Sequence, residues 1–170
     1  MDVAEVTRNY LYLFIVFLPA MVANGSPVVF KGKNPLDMGK NFIDGYRILG
    51  DGKTVEGFIV GVLAGTVFGV IEATVAWDTR YITIGFLGGL GAMLGDVTGS
   101  FIKRRLGYER GHPILILDQL DFALCSTIFY YLYDIEMNPI SLLLIYITIF
   151  LLHILTNRLA YKKGLKNVPY

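Results

Sequence analysis

Five apolar blocks separated by polar stretches dominate the chain, at residues 10–23, 55–75, 81–94, 114–133 and 139–160. A helix needs about 20 residues, at about 1.5 Å each, to cross the apolar part of a bilayer. A segment in lipid must also satisfy its own backbone hydrogen bonds. The pattern therefore predicts an all-α integral membrane protein with five transmembrane helices at about 8–23, 55–75, 81–104, 114–133 and 139–160. They form one membrane-embedded domain, 1–170, with polar loops at 24–54 and 105–113.

Two blocks need argument. The first is of signal-peptide length, but its leader carries Asp2, Glu5 and a lone Arg8 instead of a basic run. It is read as a retained helix from near Val6, with Pro19 expected to bend its exit. The third loses its apolar character after Leu94, too early to cross unaided. Its helix is expected to continue through Asp96, Ser100 and Lys103, which lie on one face. In the second span Gly57, Gly61, Gly65 and Gly69 also share a face, the pattern of close helix packing. That packing is either within the chain or across a homodimer. Glu72, farther along, is expected to reach an interface.

Composition agrees with the class. Hydrophobic residues make up 54% and charged residues 17% of the chain, and the mean hydropathy is +0.55. The single cysteine, Cys125, excludes an internal disulfide and a cysteine zinc cluster. No nucleic-acid partner is expected. Charge is distributed unevenly: segments 24–56, 101–113 and the C-terminal tail hold 13 of the 15 Lys and Arg residues. The positive-inside rule then puts the N-terminus outside and the C-terminus in the cytoplasm of a multi-pass cell-membrane protein. The loop 24–56 is long, glycine-rich and apolar enough to be ordered. Phe30, Leu36, Met38, Phe42, Ile43, Tyr46, Ile48 and Leu49 are expected to be buried, with a short amphipathic or re-entrant element over 38–49.

The candidate chemistry gathers at residues 95–121, on the cytoplasmic side. Asp96 precedes the Lys103-Arg104-Arg105 cluster, and Asp118 and Asp121 share a side of the next helix. Charges at membrane depth are costly and are rarely kept without a task. Asp96, Asp118 and Asp121 suit a magnesium ion completed by phosphate oxygens. The alternative is a set of packing ion pairs with Lys103, Arg104 or Arg105. Lys40 and Lys53, in the glycine-rich loop, carry point charges suited to phosphates. The Gly-Asp-Gly-Lys-Thr run at 50–54 lacks the spacing and preceding strand of a P-loop. His112 is a candidate to orient an acid or a phosphate, or to cap its loop. His153 is a candidate supporting group behind the site, or a helix contact.

Ser-Phe-Ile-Lys-Arg-Arg from Ser100, followed by Gly-His-Pro at 111–113 and Asp-Gln-Leu-Asp at 118–121, resembles the signature of membrane-bound phosphatidate cytidylyltransferases. The Pro-Leu-Asp-Met-Gly-Lys run at 35–40 and the 50–54 run are closer to the archaeal branch, the CDP-archaeol synthases. Gln119 stands where the bacterial pattern has arginine, so that arginine's role is not carried over. The resemblance implies transfer of CMP from CTP to an isoprenoid ether-lipid phosphate, 2,3-di-O-geranylgeranylglyceryl phosphate, with magnesium as cofactor and pyrophosphate as the second product. It implies Asp96, Lys103, Asp118 and Asp121 as catalytic residues, with the three aspartates on the metal. Lys40, Lys53, Gly57, Lys103 and Arg104 would meet the nucleotide, and Asn24 and Pro27 would lie near its cytosine. Two other functions compete: an ion-coupled membrane transporter and a CTP-dependent polyprenol kinase.

Overall fold

A computed structural model describes residues 2–30, 32–109, 112 and 114–165, with the backbone alone for Leu115. Lys31, Arg110 and Lys166 of the charge count, and Gly111 and Pro113 of the signature, lie outside the described residues. Five helices run through the rest: α1 (Val3–Gly25), α2 (Val55–Ala76), α3 (Arg80–Arg105), α4 (Leu115–Leu132) and α5 (Pro139–Lys162). A short 3-10 turn, Ser26–Val28, follows α1. α1 starts earlier than expected because Asp2 caps it, accepting from Ala4 N at 3.1 Å. Pro19 does not end it; the helix runs on to Gly25. Thr54 and Asn138 cap α2 and α5 in the same way. Among the described residues, four helices are long and apolar enough to cross a membrane: α1 with its turn, α2, α3 and α5.

Glycine decides how the helices pack. A Cβ on Gly65 would stand 2.8 Å from Gly89 Cα, and one on Gly85 2.6 Å from Gly69 Cα, so α2 and α3 meet backbone to backbone. On another side of α3, a Cβ on Gly91 would lie 2.6 Å from Ser126 Cα in α4. The stripe at Gly61, Gly65 and Gly69 is therefore used within the chain. α1 closes the bundle with Leu13, Val16, Phe17 and Ala20, packed with Met93, Phe122, Tyr130 and Ile149. Tyr130 is wholly buried, and its hydroxyl donates to Val16 O at 2.8 Å. Outward faces, such as Ile59, Leu63 and Val67 of α2 and Leu143, Ile147 and Leu151 of α5, are exposed and apolar.

Two expectations are corrected. Glu72 does not reach an interface: it is 9% exposed, with both carboxylate oxygens buried and without a hydrogen-bond partner among the described residues. The 24–54 loop holds no helix over 38–49. It folds instead on two antiparallel bridges, Pro35 with Thr54 and Asn41 with Arg47. Leu49 is buried as expected, whereas Phe30, Met38, Phe42, Ile43 and Tyr46 are exposed. A polar centre orders this loop. The Asp37 carboxylate accepts from Gly39 N (3.0 Å), Leu49 N (3.0 Å) and Gly50 N (2.9 Å). Arg47 donates to it through Nε (3.2 Å) and Nη2 (2.8 Å). Met38 and Gly39, at φ 51° and 78°, make the left-handed turn that brings this about.

Candidate active site

A cavity of about 1010 Å³ opens between the ordered loop and the helices. The stripe predicted on α3 lines it with Asp96, Ser100 and Lys103. α4 adds Asp118, Asp121 and Phe122, and the loop and the start of α2 add Lys53, Thr54, Gly57 and Phe58. Asn24, in the last turn of α1, and Pro27, in the 3-10 turn after it, border the cavity, and His153 reaches it from α5. Leu18, Met21 and Val22 of α1 and Ile149 and Leu152 of α5 also line it, so one cavity carries both charged and apolar walls.

Charges in the chamber are paired across elements. Lys53 Nζ lies 2.6 Å from both oxygens of Asp96. Lys103 Nζ donates to Asp118 Oδ2 at 2.7 Å and to the carbonyl of His112 at 2.9 Å. Asp121 has no ion pair among the described residues; its Oδ1 accepts from Phe122 N at 2.6 Å. Its carboxylate leans on Gly99, where any side chain would collide with it. Ion pairing of the acids, set out above as the alternative to a metal shell, is thus present for two of the three, and one partner is Lys53, from the loop. As they stand, no three acidic, imidazole or thiol groups among the described residues converge closely enough to hold an ion.

Three candidates lie off the cavity wall. Lys40 is exposed and makes no ion pair among the described residues. Arg104 is half-buried, and its Nε has no hydrogen-bond partner among the described residues. His112 is exposed, stacks on Tyr108 with ring centroids 4.5 Å apart, and serves the site only through its carbonyl. Gly57 does border the cavity, and its N–H donates to Thr54 Oγ1 at 3.1 Å.

Two residues that sequence reasoning missed hold the loop in place. Asp37 is one. Burial raises its pKa, but the Arg47 hydrogen bonds and three backbone N–H donors outweigh this and hold its carboxyl well below the usual carboxylate range. An aspartate two residues before a glycine in a turn-rich segment is a recognisable signal for such a role. Arg105 is the other. Its guanidinium donates to Arg47 O at 2.6 Å and lies 4.7 Å and 4.9 Å from the Phe42 and Phe101 ring centroids. Its Nε is 3.2 Å from Asp44 Oδ2. A basic helix end looks like membrane anchoring in sequence, which hid this clamp.

The bundle, its apolar outer faces and its half-charged cavity define a multi-pass membrane protein. A solved structure described as an intramembrane enzyme for archaeal membrane lipids biosynthesis superposes with a TM-score of 0.82. The match has 42% identity and covers 86% of this chain and 93% of that one. The family model described as CarS-like, CDP-archaeol synthase, matches residues 6–170. The CDP-archaeol synthase of Sulfurisphaera tokodaii is 46% identical over 94% of this chain and 96% of its own length. That of Methanopyrus kandleri is 50% identical over 90% and 89%. The chain belongs to the CDP-archaeol synthase family.

Proposed function

We propose that this chain transfers CMP from CTP to 2,3-di-O-geranylgeranylglyceryl phosphate, releasing pyrophosphate and leaving CDP-archaeol in the membrane. The observation that carries this reading is one cavity lined by three carboxylates and two lysines and also by apolar side chains of α1 and α5. Membership of the family supports it. In the reaction a lipid-phosphate oxygen attacks the α-phosphorus of CTP. The bond from that phosphorus to the bridging oxygen of the β-phosphate breaks, and that oxygen leaves with pyrophosphate. The nucleophile is already an anion, so no strong base is required. The barrier is repulsion between two phosphates together with the charge on the leaving group.

Lys53 and Lys103 supply positive charge for that leaving group. In the resting chain they neutralise Asp96 and Asp118, and their ammonium groups stand in the chamber the nucleotide would enter. The carboxylates fit Mg²⁺ in donor chemistry, since they offer hard oxygen ligands and one of them, Asp121, has no ion-pair partner among the described residues. Asp96, Asp118 and Asp121 would hold it. When bound, it would supply Lewis-acid neutralisation of the phosphates. Asn24 and Pro27 would border the cytosine. α4 is read as a span as well, making five, with the N-terminus outside and the active site facing the cytoplasm, because the described basic groups cluster at the cavity end.

The detergent-purified chain, given CTP, Mg²⁺ and the lipid phosphate, is expected to form pyrophosphate and a CDP-lipid in equal amounts and to stop on chelation. Release of CDP with a newly phosphorylated lipid would establish the kinase instead. No product, combined with CTP-independent ion flux in vesicles, would favour the transporter.

A further inference from the structure

The loop at the cavity end is footed on the outer side of α3. Phe86, Leu90, Leu94, Thr98, Phe101 and Arg105 recur every three or four residues and share one side of that helix. Phe86 and Thr98 are exposed, and the others are half-buried. The glycines that meet α2 and α4, and the cavity stripe of Asp96, Ser100 and Lys103, lie on the remaining sides. The stripe from Phe86 is therefore the lipid-facing side of a spanning helix. Phe101 lies about 30 Å along the axis from Tyr81, the thickness of a bilayer's apolar core. That places Phe101 and Arg105 at the membrane edge.

On this edge sits a small hairpin, 41–47, closed by the bridge between Asn41 and Arg47. Gly45 N donates to Phe42 O at 3.0 Å and Gly45 has φ 82°, so Ile43 and Asp44 form the tip. Phe42 stands edge-on to Phe101, with ring centroids 5.4 Å apart, and Arg105 holds the Arg47 carbonyl. Turn tips are ordinarily built from small polar residues. Here Ile43 is 95% exposed and Tyr46 55%. The acid of the tip, Asp44, is drawn back onto Arg105. We propose that this hairpin is an interfacial anchor, with Ile43 and Tyr46 seated in the acyl–headgroup boundary of the leaflet at the cavity end. The occupant is the bilayer because the hairpin continues the lipid-facing side of α3 through the Phe42–Phe101 contact. An aliphatic tip gains burial there, and a tyrosine suits that depth. Arg47 of the same hairpin also holds Asp37, so the seat in lipid steadies the loop whose Lys53 reaches Asp96.

Quenching of a single tryptophan by brominated lipid tests this on the full-length chain in phosphatidylcholine vesicles. The one native tryptophan, Trp77, is 94% exposed, and Trp77→Phe clears the background. In that chain Tyr46→Trp reports the hairpin, and Leu63→Trp, on the outer face of α2, reports the acyl interior. Emission from Tyr46→Trp is expected to be blue-shifted and shielded from iodide. Lipids brominated near the headgroup should quench it more than lipids brominated near the chain end, and Leu63→Trp should show the reverse order. Burying an isoleucine side chain favours the seated tip by about 10-fold or more, so adding Ile43→Asp should remove most of the Tyr46→Trp quenching. Quenching by iodide and not by lipid would put the tip in water and overturn the anchor. Blue-shifted emission that neither quencher reaches would mean that protein, such as a second copy of the chain, covers the tip, and would overturn it as well. So would lipid quenching that Ile43→Asp leaves unchanged. All four substituted positions are exposed, so the core is untouched. No step of the test requires turnover, and its outcome is independent of the reaction proposed above.

Discussion

Asp37→Asn is the sharpest test of how the loop serves the site. The substitution keeps the shape but removes the charge that five donors share: three backbone N–H groups and two from Arg47. One face of the new amide would point N–H groups at donors. Arg47 would keep only Asp51, 2.8 Å away and largely exposed, where an ion pair contributes little. A net hydrogen bond to a charged group is worth about 1.5–3 kcal/mol, and the five are not additive. Because asparagine keeps one acceptor, the loop's opening free energy should fall by about 2–4 kcal/mol. That predicts amide exchange about 30- to 900-fold faster at Leu49 and Gly50, with the helices unchanged. Lys53, at the end of this loop, should then hold Asp96 less well, and CTP use should weaken. Exchange-mass spectrometry in detergent reads the first effect and kinetics the second. Lost activity with full protection of 34–54 would mean that Asp37 acts on substrate directly, and the positioning argument would fall. The pH dependence follows in sign. A carboxyl depressed in the folded loop stabilises it fully above the ordinary aspartate pKa of about 3.9, and that stability fades only as pH falls below it. Pepsin should therefore leave the wild-type loop intact near pH 5 and begin to cut it below about pH 4.

Asp118→Asn and Asp96→Asn are each expected to lower kcat by at least about 100-fold while the thermal unfolding temperature changes little, since each leaves a lysine facing an amide; near-normal turnover at saturating Mg²⁺ would remove that residue from the reaction. Arg105→Ala should release the loop's Phe42 ring and Arg47 carbonyl from α3 and raise the CTP KM more than it lowers kcat; equal losses in both would refute a docking role. Gly95→Val would push a methyl group into Phe122 Cα, which the Cβ already approaches to 2.6 Å. A cost of about 1–3 kcal/mol or more should appear in thermal unfolding, whereas Gly25→Ala, in open space, should leave stability unaffected.

What could be read directly was whatever depends on neighbours along the chain. Apolar block length and the bilayer's thickness set five helices, all but the start of α1 to within a turn. The 3.6-residue period put Asp96, Ser100 and Lys103 on one face and Asp118 with Asp121 on another. The family motifs supplied the chemistry. What the tertiary structure decided depends on residues far apart in sequence. Lys53 meets Asp96 across 43 residues, and no local pattern encodes that pairing. The glycine stripe says that a backbone comes close but not which one, and here it is α3 of the same chain. Loop residues such as Ile43 looked buried because hydrophobicity is counted along the chain, whereas the loop is in fact ordered by the carboxylate of Asp37. His153 read as a helix contact or a supporting group behind the site until the fold put it on the wall of the cavity that the three aspartates also line. Periodicity reports the face a residue occupies on its own helix, and only the packed bundle determines what that face meets.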